Sequence, residues 1–369
     1  MSHFLLVGCI ALAVLGLPLL GAALAGRELR EFFRFPPPLE IPTGYLRFSW
    51  FAFAAVVGLL AVIAVSWLRS RVPGSALRNE PDRSAERRLP WWGWCALIWT
   101  AGWWVLAWSR FAWFKPLQPY TFFPLWLGFI VGINALTQRR SGICLMLRAP
   151  GKWIGLFAAS AFFWWAFEWL NRFVRNWHYI AEGFGPLGYA MHATVCFSTV
   201  LPAVAGVAEW LGTHRSWANA TARGPAWRWF AARGTAFVLL TGAVAALFGT
   251  GLYPTWCYPA LWVAPLALIL AAEVFAGGSG LTREISRGDW SRAATWMMAA
   301  LICGFFWELW NWRSVAKWIY TVPGVERWFI FEMPLLGFAG YLPFGLECLL
   351  VVERLTRGDA IAKRRGLSP

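Results

Sequence analysis

The sequence predicts an all-α fold: a polytopic transmembrane helical bundle of about ten helices, in which two parallel four-helix repeats follow an N-terminal helix pair. Composition is the first reason, since 59% of the 369 residues are hydrophobic and only 14% are charged, whereas a soluble domain carries about 25% charged residues. The second reason is a series of long apolar runs without strand-like alternation, which excludes a transmembrane sheet barrel. The third is an aromatic motif around a Glu and an Asn that occurs twice.

Ten stretches of the chain are apolar and long enough to cross a bilayer, which takes about 20 residues. In chain order they are residues 4–25, 49–68, 91–109, 121–137, 153–171, 188–211, 234–252, 259–276, 292–310 and 329–352. The first stretch resembles a signal peptide, because Ala23-Leu24-Ala25 matches a cleavage site. No Lys or Arg precedes the apolar run and the run is long, so a retained first helix is favoured over a cleaved one.

The distribution of positive charge orients the bundle. When the N-terminus is placed in the cytoplasm, the cytoplasmic segments hold 22 Lys and Arg residues and the opposite segments hold 11, as the positive-inside rule expects. The net charge of +15 is therefore attributed to topology and to anionic lipid, since no contiguous basic face for nucleic acid is present. We expect a protein integral to the membrane, in a bacterial inner membrane, with both termini cytoplasmic and with membrane lipids as partners.

An internal duplication is predicted from the repeated motif. Residues 162–171 read FFWWAFEWLN and residues 304–312 read GFFWELWNW, so that Glu168-x-x-Asn171 matches Glu308-x-x-Asn311. Each motif is followed by a Trp-x-Tyr, and further matches keep the same order at offsets of 136 to 141 residues. Each unit holds four helices, an even number, so both units have the same orientation about an axis along the membrane normal.

The duplication divides the chain into four parts. These are an N-terminal helix pair with an Arg-rich cytoplasmic loop (1–90), a first four-helix repeat (91–230), a second four-helix repeat (231–355) and a cytoplasmic tail (356–369).

Seven polar residues are candidates for substrate binding, because ionisable groups within a membrane are costly, at about 2.5 to 3.5 kcal/mol, and usually face the bundle interior or a wet cavity. They are Glu168, Asn171, Glu308, Asn311, Glu332, Glu347 and His192. A Glu and an Asn three residues apart share one helical face, and both pairs fall near the outer ends of their helices. We expect an aromatic-walled polar pocket near the outer leaflet in which Glu168 and Glu308 bind a cation, a proton or a polar headgroup. Alternatively, the pairs bond to backbone and indole N–H groups and fasten the bundle, or lie where the helix ends reach the interface.

The remaining candidates lie on the helices that follow these pairs. His192 and Glu332 are predicted in the outer halves of those helices, and Glu347 is predicted deeper, one turn after Pro343, where a proline can leave a carbonyl unpaired. Glycines in the same segment, Gly337, Gly340 and Gly345, permit either close helix packing or a groove that faces a ligand.

No motif identifies a reaction. GxSxG, HExxH and Walker A sequences are absent, and the seven cysteines form no CxxC pair, so neither a metal site nor a cofactor is expected. A transporter or lipid-handling permease is the favoured function. An intramembrane enzyme acting on a lipid or isoprenoid, with a Glu as acid or base, and a structural or assembly subunit are the alternatives, and whether the protein is an enzyme stays open.

Overall fold

The computed structural model describes residues 3–39, 48–70, 87–180, 184–277 and 280–356. Part of the predicted charge asymmetry, in the loop after residue 70 and in the 357–369 tail, lies outside the described residues. The described chain forms fifteen α-helices: α1 (His3–Leu24), α2 (Trp50–Ser70), α3 (Trp91–Trp108), α4 (Phe122–Ser141), α5 (Leu145–Arg148), α6 (Pro150–Val174), α7 (Pro186–Phe197), α8 (Val200–Gly212), α9 (Arg215–Thr221), α10 (Arg233–Leu252), α11 (Pro254–Cys257), α12 (Ala260–Phe275), α13 (Leu281–Ser286), α14 (Ser291–Trp312) and α15 (Tyr341–Thr356).

Shorter elements connect these helices. The 3-10 helices are Leu29–Phe33, Ala112–Tyr120, Arg228–Ala231 and Leu335–Gly340, and the strands are β1 (Trp177–Ile180), β2 (Lys317–Tyr320), β3 (Phe329–Ile330) and β4 (Met333–Pro334). Sheet is thus confined to two short pairs, β1 with β2 and β3 with β4.

The prediction of an all-α membrane protein is confirmed. Within the described ranges, seven helical segments are long and apolar enough to cross a membrane: Leu6–Leu24, Trp50–Trp67, Pro150–Val174, Pro186–Gly212, Arg233–Leu252, Ser291–Trp312 and Leu335–Thr356. An eighth is possible if Ala112–Tyr120 and Phe122–Ser141, which meet at an angle of 69°, form one span. The remaining predicted spans are also helical, but α12 is short and α3 is rich in tryptophan.

Prolines and a glycine set several helix ends. Pro150 and Pro186 occupy the first turns of α6 and α7, where the missing N–H costs nothing. Pro202 cannot donate a hydrogen bond to the preceding turn, and the predicted span 188–211 accordingly breaks into α7 and α8 between Phe197 and Val200. Gly142 ends α4 with a φ of 83°, the left-handed conformation that favours glycine.

The last predicted span begins too early. Residues 329–334 form the β3–β4 hairpin, in which Ile330 pairs with Met333, and the helical segment starts only at Leu335. Glu332 therefore lies in the turn between two strands, and its prediction as a helical residue is wrong. A hydropathy pattern did not separate this apolar hairpin from the helix that follows it.

Helix α1 packs closely on α10 through glycine. An ideal Cβ on Gly21 would lie 2.0 Å from the Phe248 carbonyl oxygen, and one on Gly251 would lie 1.9 Å from the Pro18 carbonyl oxygen. Backbones approach this closely only where a side chain is missing. The two helices are thus held at a short distance by small residues.

Helix α2 is attached differently, since none of its membrane-spanning window is buried. Its N-terminal end lies against Trp328, whose ring centroid is 5.6 Å from that of Phe48 and 5.1 Å from that of Phe53. The Arg327 guanidinium lies 5.0 Å from the centroid of the Trp50 ring. At the other end the Trp67 and Trp290 rings are 6.0 Å apart. Helix α2 therefore lies at the periphery and is held near its ends by aromatic contacts.

The two ends of the bundle differ in chemistry. Lys152, in the first turn of α6, donates to the Thr356 carbonyl at the end of α15 (3.0 Å), and Arg292, at the start of α14, forms an ion pair with Glu353. At the opposite ends of α6 and α14 the chain continues into β1 and β2, which are rich in aromatic residues. The strand pair thus marks the end away from the Lys152 and Arg292 contacts.

Candidate functional site

The Glu168 carboxyl group is surrounded by aromatic donors. Its Oε1 atom accepts hydrogen bonds from Trp164 Nε1 (3.0 Å), Trp177 Nε1 (2.9 Å) and the Tyr179 hydroxyl (2.6 Å). Trp164 lies one turn earlier on α6, whereas Trp177 and Tyr179 are on β1. Glu168 is 5% exposed, so these bonds replace the water that a buried carboxyl group would lose.

The Glu308 carboxyl group has a similar environment on α14. Its Oε1 atom accepts hydrogen bonds from the hydroxyl groups of Tyr320 (2.6 Å) and Tyr341 (2.9 Å). The Trp318 indole donates in turn to the Tyr320 hydroxyl oxygen (2.7 Å). Glu308 is fully buried, and its Oε2 atom has no hydrogen-bond partner. This carboxyl group is therefore bonded through one oxygen to two phenols.

Burial keeps two of these phenols protonated. It raises the pKa of Tyr179 and of Tyr320 well above the usual phenol value, and the neighbouring Glu168 and Glu308 carboxyl groups raise each pKa further. Both hydroxyl groups therefore act as donors to the carboxyl oxygens at neutral pH.

Asn171 and Asn311 bond to backbone and fix the strands to the helices. Asn171 Nδ2 donates to the Trp177 carbonyl (2.8 Å), and its Oδ1 accepts from the Asn176 N–H (2.7 Å). Asn311 Nδ2 donates to the Trp318 carbonyl (2.8 Å), and its Oδ1 accepts from the Trp318 N–H (2.8 Å). Each asparagine thus holds the chain that follows its helix.

The two strands then pair with each other. They run antiparallel, with Trp177 opposite Tyr320, His178 opposite Ile319 and Tyr179 opposite Trp318. A residue bonded to Glu168 therefore stands opposite one bonded to Glu308. The strand pair brings the two glutamate environments together.

A cavity of about 340 Å³ lies beside the strand pair. Its lining is mostly aromatic and apolar, and it includes six rings from the two hydrogen-bonded groups: Trp164, Trp177, Tyr179, Trp318, Tyr320 and Tyr341. Val56 of the peripheral helix α2 forms part of the wall. Lys317 is the one Lys or Arg in the described lining, and it forms an ion pair with Glu332.

The predicted site residues hold different positions relative to this cavity. His192 is the one of the seven that lines it. Glu168 and Glu308 lie behind the lining, separated from the cavity by the rings that donate to them, and Glu332 lies behind Lys317. Glu347 belongs to a separate place, where its Oε1 accepts a hydrogen bond from the Leu266 N–H (3.0 Å) next to Pro265 in α12.

His192 is held by aromatic rings. Its imidazole stacks on Phe184 (5.0 Å between centroids) and meets the edge of Tyr120 (5.2 Å). The Cys196 Sγ atom, one turn later on α7, lies 3.7 Å from His192 Nε2. The described residues contain no group of three or more His, Cys, Asp or Glu side chains arranged to hold a metal ion.

Gly337, Gly340 and Gly345 divide between the two predicted roles. Gly337 and Gly340 line the cavity, and a Cβ on Gly340 would come 3.9 Å from the Trp262 ring. Gly345 instead lets α15 approach α14, because a Cβ there would lie 2.4 Å from the Trp296 carbonyl oxygen.

The tyrosines and tryptophans that donate to the carboxyl groups were not among the predicted site residues. A signal existed for three of them, Trp177, Tyr179 and Tyr320, since Trp-x-Tyr follows each Glu-x-x-Asn at nearly the same distance. Tyr341 had no such signal, because its contact with Glu308 joins two helices that are distant in sequence.

Comparison with protein-family models, with curated proteins and with solved structures finds no match. The function of the site is therefore inferred from its own geometry and chemistry.

Proposed function

We propose that the protein is a transporter or lipid-handling permease that holds a membrane lipid or another amphiphile in the aromatic cavity. The observation that carries this proposal is the cavity itself: about 340 Å³, between membrane helices, with a mostly aromatic lining. Small-molecule sites begin at about 300 Å³ and are mostly apolar with few polar groups. An apolar chain is the ligand that gains most from such a lining.

The position of α2 supports access from the bilayer. This helix contributes Val56 to the cavity wall, yet its spanning window contains no buried residue. A helix held mainly at its ends can separate from the bundle at lower cost than one packed along its length. An amphiphile would then enter the cavity sideways, past the middle of α2.

We also propose that the bundle consists of two parallel repeats related by a two-fold axis along the membrane normal. Two parallel repeats related by a two-fold axis would place equivalent strands side by side and antiparallel, as β1 and β2 are. The same axis accounts for an exchange of tryptophans between the units. Trp126 lies 5.1 Å from Trp307, the neighbour of Glu308, and Trp262 lies 5.4 Å from Phe167, the neighbour of Glu168.

In this arrangement the strand pair and the cavity face the outer leaflet of a bacterial inner membrane, and both termini are cytoplasmic. The supporting observation is that the Lys152 hydrogen bond and the Arg292 ion pair lie at the other end, the end to which the sequence assigns the excess positive charge.

A structural or assembly role is the second candidate function, and it rests on the asparagine bonds. Asn171 and Asn311 are occupied by backbone groups, as expected of residues that fasten a bundle. The two candidates differ in whether the cavity takes a ligand.

A substitution in the cavity wall tests the proposal. Val56→Trp would fill part of the cavity, whereas Val57→Trp, on the exposed side of the same helix, adds the same bulk and hydrophobicity outside it. Wild type and both variants would be purified in maltoside detergent, and binding of a fluorescent phospholipid would be measured at equilibrium. We expect binding to wild type and Val57→Trp and a loss of at least tenfold in Val56→Trp. Absence of binding to all three, or equal binding to all three, contradicts the proposal.

A further inference from the structure

The ligand of the cavity carries a specific chemical group. We propose that the cavity recognises a quaternary ammonium or other alkylated amine headgroup, held by aromatic rings that hydrogen-bond to Glu168 and Glu308; this inference rests on the proposed binding of an amphiphile in the same cavity. Three observations lead to it.

The first observation is that the polar groups of five lining rings are already hydrogen-bonded to the two carboxyl groups. Trp164, Trp177 and Tyr179 direct their N–H and O–H groups to Glu168, and Tyr320 and Tyr341 direct theirs to Glu308. All five rings line the cavity, whereas neither carboxyl group does. The donor atoms are therefore occupied, and the rings offer the cavity mainly their carbon surfaces. A ligand that required hydrogen bonds from these residues would have to break them first.

The second observation is the effect of a carboxyl group on such rings. An acceptor that bears negative charge draws the indole or phenol proton towards itself and leaves the ring richer in electrons, since hydrogen-bonded groups polarise one another in a medium of low dielectric. Electron-rich indole and phenol rings attract cations through the negative charge on their faces. Each carboxyl group, in its ionised form, thus strengthens the attraction for a cation without touching it.

The third observation is the balance of charge around the cavity. Three carboxyl groups, those of Glu168, Glu308 and Glu332, lie behind its walls, against two cations, Lys317 in the described lining and Arg172 near Glu168. Charge complementarity therefore favours a positive ligand over an anionic one. An alkylated ammonium suits this site better than a metal ion or a primary amine, because it has few or no N–H groups to satisfy and is weakly hydrated.

The experiment compares ligands that differ only in charge. The full-length protein, purified in maltoside detergent, would be titrated calorimetrically with dodecyltrimethylammonium, with its neutral isostere in which carbon replaces the nitrogen, and with anionic dodecylphosphoglycerol. We expect the cation to bind at least tenfold more tightly than the isostere, and the anion to bind more weakly than both. If the isostere or the anion binds as tightly as the cation, the inference is overturned while the proposed function stands. If none of the three binds, both fail.

Variants test whether the carboxyl group acts through the rings. Glu168→Gln keeps the size and still accepts hydrogen bonds but carries no charge. We expect it to weaken cation binding about tenfold and to leave the isostere unchanged. Glu347→Gln is the matched control, because Glu347 is equally buried but bonds to the α12 backbone, and its preference for the cation should equal that of wild type. Equal losses for cation and isostere in Glu168→Gln would overturn the inference.

Size-exclusion chromatography would show whether Glu168→Gln folds. If it does not, a second variant provides the same test. Trp177→Phe keeps a ring in the wall but loses the indole N–H that reaches Glu168, and it should likewise weaken only the binding of the cation. An unchanged preference for the cation in a folded Trp177→Phe variant contradicts the polarisation of the rings.

An alkylated ammonium group occurs both on lipid headgroups and in small soluble amines, and the two kinds of ligand must be distinguished. Competition by tetramethylammonium distinguishes them. If tetramethylammonium displaces dodecyltrimethylammonium at a similar concentration, the ligand is a soluble amine. If displacement takes a concentration of tetramethylammonium at least a hundredfold higher, the ligand is an amine carried on an apolar chain. Either result supports recognition of the ammonium group, and failure to displace at any concentration opposes it.

Discussion

Substitution of Asn171 by Ala is expected to destabilise the protein substantially, because the asparagine satisfies backbone groups that no water reaches. It is 8% exposed and makes two short hydrogen bonds, from Nδ2 to the Trp177 carbonyl (2.8 Å) and from the Asn176 N–H to Oδ1 (2.7 Å). Trp177 N–H contributes a third, longer bond to the same oxygen (3.3 Å). Alanine removes all three and leaves the backbone groups in place.

The magnitude follows from the number of groups left unpaired. A buried donor or acceptor without a partner costs about 1 to 3 kcal/mol. With two short bonds lost, we expect the free energy of unfolding to fall by about 2 to 5 kcal/mol. The loss should also weaken the β1–β2 pair and with it the wall of the cavity, because Trp177 stands opposite Tyr320.

Thermal and denaturant unfolding in detergent, followed by circular dichroism, would measure the change. Asn219→Ala is the control, since Asn219 is exposed on α9 and exposed substitutions usually change stability by less than about 0.5 kcal/mol. A loss in Asn171→Ala no larger than that of Asn219→Ala would refute the assignment of Asn171 as the residue that holds the strand.

Three further predictions concern other parts of the molecule. Gly251→Val should displace α1 from α10 and lower the melting temperature, because even a Cβ would lie 1.9 Å from the Pro18 carbonyl oxygen; Gly16→Val, with nothing within 4 Å, should not. Burial, followed by the charge of Arg175, lowers the pKa of His178 below its ordinary value of about 6.5, so the unfolded chain binds the proton more readily. The contribution of His178 to stability should therefore be complete above pH about 6.5 and decline as the pH falls below it, and His178→Gln should lose less stability than wild type between pH 7.5 and pH 5.5. Arg327→Gln should loosen the N-terminal end of α2, because the guanidinium lies 4.8 Å from the Trp328 ring and 5.0 Å from the Trp50 ring; a spin label at residue 52 should become more mobile, and unchanged mobility would contradict this anchoring.

Much of the architecture was predictable because apolar length determines which segments can enter a membrane. All ten predicted stretches contain helix, and the helices around Glu168 and Glu308 end within three residues of the predicted positions. The hairpin at residues 329–334 was not predictable in this way, since its apolar residues lead directly into those of the helix that follows. Hydropathy alone also did not show that Ala112–Tyr120 and α4 meet at 69°.

The candidate site was predictable only in part. The spacing of Glu168 and Asn171 placed both on one helical face, and both are buried. It did not distinguish their roles, which differ: the asparagine bonds to backbone, whereas the carboxyl group bonds to aromatic side chains. The Tyr341 hydroxyl reaches Glu308 across 33 positions of sequence, and such a contact depends on how α14 and α15 pack, which local sequence patterns do not specify.

Photo-crosslinking in proteoliposomes is the most direct test of whether the cavity holds an amphiphile. A phospholipid with a diazirine on its acyl chain and a choline headgroup would be incorporated, irradiated and mapped by mass spectrometry. Labelling is predicted on cavity residues from separate helices, Val56, Trp262 and Gly340 among them, and Val56→Trp should reduce it. Labelling confined to outward residues such as Phe162, which is 80% exposed, with none in the cavity, would contradict the proposed function.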